Sequence, residues 1–192
     1  MYKFTQAVLD RLHIPQVHIK AVLDKIPGNP KHKKTLESYV NNIKKNVDKG
    51  QGLFLHGEYS RGKSALAAIC LKAAYGQCGY IGLWIKAGDI PNYIINEIQF
   101  DSEETYYERC LSVPLLVIDE FKLRKDIKFT ENSVEDLVRA RIDLQKSTII
   151  TTNVSLKQLE EEYPAFHVVL QEGLYPIKIQ GHDFRKGIGG KL

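Results

Sequence analysis

The sequence predicts an α/β fold built on a parallel sheet, and three observations predict it. Short runs that are apolar throughout alternate with stretches of helical spacing, the pattern of strands buried on both faces and joined by helices. The first such run, 52–56, leads straight into Gly57-Glu58-Tyr59-Ser60-Arg61-Gly62-Lys63-Ser64, which satisfies GxxxxGK[ST], and a helical run follows it. A third run, Leu115-Leu116-Val117-Ile118, ends in two carboxylates, Asp119 and Glu120.

Taken in order, the chain begins with Phe4, Val8, Leu9 and Leu12 at helical spacing, a short amphipathic helix that ends at His13-Ile14-Pro15. Pro27-Gly28-Asn29-Pro30 is a strong breaker and the hinge of the chain. Residues 1–30 therefore read as an N-terminal helical arm and a candidate partner-docking element, and 31–192 as the P-loop domain. The arm's apolar stripe must be buried, either on its own core or in a groove of a partner. Helices are expected over 35–47, 64–75, 90–100 and 134–144, and strands over 52–56, 80–85, 115–118, 148–152 and 177–180. That makes a five-stranded parallel sheet with helices on both faces.

A length of 192 residues suits one such domain with a short appendage. No apolar run approaches the ~20 residues that span a bilayer. Residues 1–6 hold no continuous apolar segment, so neither a membrane protein nor a secretory signal is expected. Cys70, Cys78 and Cys110 are odd in number and lack CxxC spacing. They suggest neither a disulfide framework nor a zinc site, and they fit a cytoplasmic protein. Residues 1–50 carry ten Lys/Arg against four Asp/Glu, a net +6, whereas the rest carry seventeen against nineteen, a net −2. The basic part, with Lys31, Lys33, Lys34, Lys44, Lys45 and Lys49, suits contact with phosphates or an acidic partner, or is simply a solvated helix face.

The candidate chemistry lies in the loop. Backbone N–H groups of Gly57, Tyr59, Ser60, Arg61, Gly62, Lys63, Ser64 and Ala65 would surround the phosphates of ATP, and the helix N-terminus adds partial positive charge. Lys63 reaches the β- and γ-phosphates, and the Ser64 hydroxyl is a candidate ligand of Mg2+. The commonest form of the loop has a glycine where Ser60 stands. Asp119 has the place of a second magnesium ligand, acting through water. Glu120 has the place of the base that orients the attacking water. Asn153, after the run 148–152, can reach the γ-phosphate as a sensor, although Asn is also common at strand ends for turn reasons. A small-molecule kinase would use the same loop but needs several lid arginines, and 142–184 holds none.

These elements in order, with Gly181-His182-Asp183-Phe184-Arg185 near the C-terminus, resemble AAA+ helicase loaders of the DnaC/DnaI type and the related IstB-type transposition ATPases. The resemblance covers about residues 14–186 and includes the Ile14-Pro15 entry and Thr151-Thr152-Asn153. It implies a RecA-like AAA+ core without a full lid domain, with Arg185 as a sensor-2 contact to the nucleotide. It also implies ATP hydrolysis that is slow or partner-stimulated, in the service of placing a replicative DNA helicase on single-stranded DNA during replication, in bacteria or phage. A homo-oligomer or an assembly on the helicase ring would follow. The alternatives are a transposition ATPase on duplex DNA and a non-hydrolysing ATP-dependent adaptor. Two departures stand out. Loaders usually carry a larger N-terminal domain, sometimes with zinc, and they usually carry an arginine finger shortly before the last strand. Here that place reads Leu170-Gln171-Glu172-Gly173-Leu174, with Gly173 at the expected arginine. Arg124, Arg139 and Arg141 are the candidate substitutes, although arginines on a helix surface are more often structural.

Overall fold

Strands β1 (Gly52–His56), β2 (Leu83–Lys86), β3 (Leu115–Phe121), β4 (Ser147–Thr152) and β5 (Leu174–Lys178) form one sheet in the order β2-β3-β4-β1-β5. Every pairing is parallel. The computed structural model describes residues 4–23, 30–101, 103–123 and 128–181.

Alternation along the strands explains why the runs are apolar throughout. Leu53, Leu55, Val117 and Ile149 enter one hydrophobic cluster, and Phe54, Leu116, Ile118 and Ile150 enter the other. Both faces are therefore covered, as parallel sheets require. On the first face lie α1 (Gln6–Arg11), α2 (Gln16–Ile19), α3 (Pro30–Asn41), α4 (Ile43–Asp48) and α5 (Lys63–Cys78). On the second lie α6 (Ile90–Ile95), α7 (Tyr106–Ser112), α8 (Lys128–Asp143), α9 (Leu156–Glu162) and α10 (Pro164–Gly173). Helix α5 is buried nearly all round from Ala65 to Ala74, because it lies between the sheet and the helices that precede β1. It ends where Gly79 turns left-handed and returns its N–H to Ala74 and Tyr75.

Several elements differ from the sequence reading, each for a local reason. The helix expected over 35–47 is two helices, broken at Asn42 (φ −105°, ψ 24°). The helix expected over 90–100 stops at Ile95; Glu97 is left-handed, and the chain then turns into a bridge between Gln99 and Thr105. The second strand starts at Leu83 rather than residue 80. The last starts at Leu174 rather than 177 and accommodates Pro176 because it is an edge strand. Helices α7, α9 and α10 were not expected; a Thr105/Glu108 capping box and a Ser155 cap start the first two.

The apolar stripe at the N-terminus packs on this chain's own core. Leu9 and Leu12 are buried, Val8 lies against the same cluster, and the Leu12 carbonyl accepts the Trp84 N–H of edge strand β2. No helix among the described residues is long and apolar enough to cross a membrane.

Candidate nucleotide site

The candidate site lies at the C-terminal ends of β1, β3 and β4, where a parallel α/β sheet places its functional loops. After β1, Gly57 turns with φ +139°, and a Cβ there would lie 2.3 Å from the Ile179 carbonyl oxygen. Ser60 (φ 58°) and Gly62 (φ 88°) are both left-handed, and this double turn delivers the chain to the start of α5 at Lys63. The left-handed backbone at Ser60 explains the glycine of the commoner loop, since a side chain there costs roughly 1–2 kcal/mol. Arg61 spans the loop to Glu58 at 2.5 Å. Tyr59 stands exposed beside the cleft.

Lys63 ties three segments together. Its ammonium donates to the carbonyls of Gly57 (2.8 Å) and Glu58 (2.6 Å) and to Asn153 Oδ1 (2.6 Å). Burial pulls its pKa down to about 8, against the pull of Asp119 and with help from Arg61. Asn153 thus sits beside Lys63.

Ser64 Oγ donates to Asp119 Oδ1 at 2.8 Å. The same carboxylate oxygen accepts the Thr151 hydroxyl, and Thr151 Oγ1 accepts the Glu120 N–H at 3.2 Å. Asp119 is buried, whereas Glu120 is exposed toward the cleft. Two features produce that split. Register between β3 and β4 slips between Ile118 and Phe121, and Glu120 is left-handed at φ 60°. Such a bulge re-aims a side chain at the end of a strand, and a non-glycine residue in this region is a recurrent mark of functional sites.

The donor set fits magnesium. A hydroxyl and a carboxylate converge from Ser64 and Asp119, and both are hard oxygen donors. Among the described residues no group of three or more His, Cys, Asp or Glu could form an all-protein cage. Magnesium keeps waters and takes phosphate oxygens, so a two-residue set is what it uses. The cleft has about 130 Å³. Whole-ligand pockets run to roughly 300–1,000 Å³, so this space would suit part of a nucleotide, such as its terminal phosphates, rather than a whole one.

Of the predicted site residues, Gly57, Tyr59 to Ala65, Asp119, Glu120 and Asn153 come together here. Arg185 and the residues around it lie outside the described residues, as does Arg124. Arg141 is no substitute finger. It is fully buried, and its guanidinium donates to the carbonyls of Cys110 (2.5 Å), Val113 (3.1 Å) and Ser147 (2.5 Å) and to Thr148 Oγ1 (2.9 Å). Arg139 is exposed and paired with Glu135 at 2.8 Å. At Gly173 a Cβ would lie 2.7 Å from Ile142 Cγ1, so a side chain there requires Ile142 to move. Sequence reasoning missed Thr151, Lys122 and His18 as residues of the cleft. Thr151 had a signal, because its strand position faces the end of β3. His18 had none.

No protein-family model and no curated protein matches the sequence. Solved structures do. The DnaC helicase loader superposes with a TM-score of 0.74 at 23% identity, over 86% of this chain and 100% of that one. DnaI gives 0.71 at 18%, over 89% and 94%. The replication initiator DnaA, bound to AMPPCP and single-stranded DNA, gives 0.67 at 16%, over 88% of this chain and 52% of the other. With its strand order β2-β3-β4-β1-β5, the chain has the parallel α/β fold of the DnaC and DnaI structures.

Proposed function

We propose that this chain is an ATP-binding AAA+ ATPase that loads or remodels a replicative DNA helicase on single-stranded DNA. The observation that carries the reading is the convergence of Lys63, Ser64, Asp119 and Asn153 at one end of a sheet whose fold is similar to the solved DnaC helicase-loader chain over all of that solved chain. Lys63 would bind the β- and γ-phosphates, and Ser64 and Asp119 would hold Mg2+, which when bound neutralises phosphate charge. Glu120 faces the cleft free to accept a proton from water, and Asn153 would register the γ-phosphate. Arg185 would be a contact to the nucleotide.

Hydrolysis by the isolated chain should be slow. An arginine finger supplied in trans is worth ~10³-fold or more. The described arginines offer none at the end of α10, in this copy or in a second one, so a different partner such as the helicase would complete the site. The same observation favours a second reading, an adaptor that binds ATP without hydrolysing it.

Co-purification with the replicative helicase decides between these. The loader reading expects the helicase to be retained with ATP, and turnover to rise when helicase and single-stranded DNA are added. Retention with no turnover under any of these conditions selects the adaptor. Failure to retain the helicase at all rejects both. Turnover stimulated by duplex DNA and a transposase would point to a transposition ATPase instead.

A further inference from the structure

One wall of the cleft comes from outside the P-loop core. His18, in the single turn α2, borders the same space as Ser64 and Glu120. A turn of four residues has no stability of its own, because helix nucleation is unfavourable. Something must hold it.

Lys72 does. It lies in α5, the helix that begins at the P-loop, and is 9% exposed. Its ammonium donates to the carbonyls of Ile19 (2.8 Å) and Ala21 (2.6 Å), which flank the end of α2. Those carbonyls form the unsatisfied, negative end of the turn, where a cation is the natural partner. A buried ammonium is costly when packing alone is at stake, and methionine would fill the space without that cost. The charge is there for the carbonyls.

The imidazole itself is located by Trp84, whose ring lies 5.8 Å away. Trp84 pairs with Val117, two residues before Asp119 on the adjacent strand. His18 therefore stands on the side of the cleft toward Asp119 and Glu120.

We infer that Lys72 is a positioning residue of the nucleotide site: by holding the Ile19 and Ala21 carbonyls it seats His18 beside the triphosphate–magnesium end of the cleft. The N-terminal segment is then a part of the ATP site. This rests on the ATP reading above and extends it to residues 16–21.

Trp84 is the single tryptophan of the sequence and reports on the adjacent imidazole. The test uses full-length protein and three readouts: calorimetric affinity for ATP with Mg2+, Trp84 emission, and melting temperature. In the wild type, ATP should change Trp84 emission. Lys72→Met should weaken ATP binding about tenfold, through the smaller fraction of chains with α2 seated, and abolish the emission response. Lys72→Arg should restore most of both. His18→Ala should also weaken binding, and adding it to Lys72→Met should cost nothing further, as expected for residues that act as a unit. A folded Lys72→Met with wild-type affinity and emission response overturns the inference, as do additive losses in the double variant. If Lys72→Met does not fold, His18→Ala alone decides: unchanged affinity and unchanged emission response overturn it. A wild type that binds no ATP removes the nucleotide reading instead. Nucleotide-free Trp84 emission then still shows, by a shift in Lys72→Met or its absence, whether Lys72 seats His18.

Discussion

The Ser64 hydroxyl lies 2.8 Å from the Asp119 carboxylate, across 55 residues of sequence. Thr151 makes the approach stable. It stands on β4 and gives its hydroxyl to the same Asp119 oxygen, which fixes the carboxylate toward the first turn of α5. Two hard oxygen donors set this close would serve as a magnesium half-site. Asp119→Ala should therefore erase the dependence of ATP affinity on Mg2+. Titrations with magnesium and with EDTA should differ in the wild type and coincide in the variant; a persisting difference assigns the metal elsewhere.

The bulge turns Glu120 outward while Asp119 stays buried. Glu120→Gln keeps the side chain's size and removes its proton-accepting power. Turnover in the presence of helicase and DNA should fall at least ~100-fold, within the usual range for a general base, while ATP affinity stays near wild type. Phosphate release measured beside a binding titration checks both parts. Retained turnover would remove Glu120 from the chemistry.

Arg141 is a structural cation. It gathers carbonyls from the end of α7 and the start of β4, and burial lowers its pKa to about 9. Arg141→Met would leave several buried carbonyls without donors, at roughly 1–3 kcal/mol for each unsatisfied group. A loss of about 3 kcal/mol or more in denaturant unfolding is expected. Arg141→Lys should recover little, since one ammonium cannot reproduce the planar fork. A stability change below about 1 kcal/mol would contradict this.

His56 ends β1 immediately before the P-loop and stacks on Phe54. Burial, then Lys178, Lys63 and His32, lower its pKa from 6.5 to about 4. The unfolded chain therefore binds a proton between about pH 6.5 and pH 4 that the folded chain refuses. Stability should be fully present above pH 6.5, fall as pH drops through that window, and level off for this residue below pH 4. The limit is about 3 kcal/mol, at 1.36 kcal/mol per pH unit. His56→Phe should flatten this part of the pH–stability curve measured by thermal unfolding. An equally steep curve in the variant would place the proton on another group.

The sheet and most of the candidate site were legible from residues 52–64, 115–120 and 148–153, because chemistry there forces residue type. A backbone that cradles phosphate needs Gly57 and Gly62, and a strand buried on both faces needs an unbroken apolar run. Helices α9 and α10 were not legible because both are short: α9 buries Leu159, and the buried set of α10, Phe166, Val169 and Leu170, spans little more than one turn. The structural role of Arg141 was the commoner expectation for a helix arginine, but its burial was not legible, because sequence gives an arginine on an amphipathic helix no sign of burial. His18 and Lys72 escaped notice because their relation is purely tertiary: a side chain in α5 meets backbone carbonyls 51 and 53 residues away.

Calorimetric titration of ATP with Mg2+ into the wild type and Lys63→Ala tests the central claim most directly. Lys63 would supply the charge that meets the β- and γ-phosphates, and charged hydrogen bonds of this kind together suffice for about a hundredfold in affinity. The wild type should show saturable binding at one site, and Lys63→Ala should show none at the same concentrations while melting as a folded protein. Equal binding by the two proteins, or none by the wild type, would contradict the assignment of this loop as an ATP site.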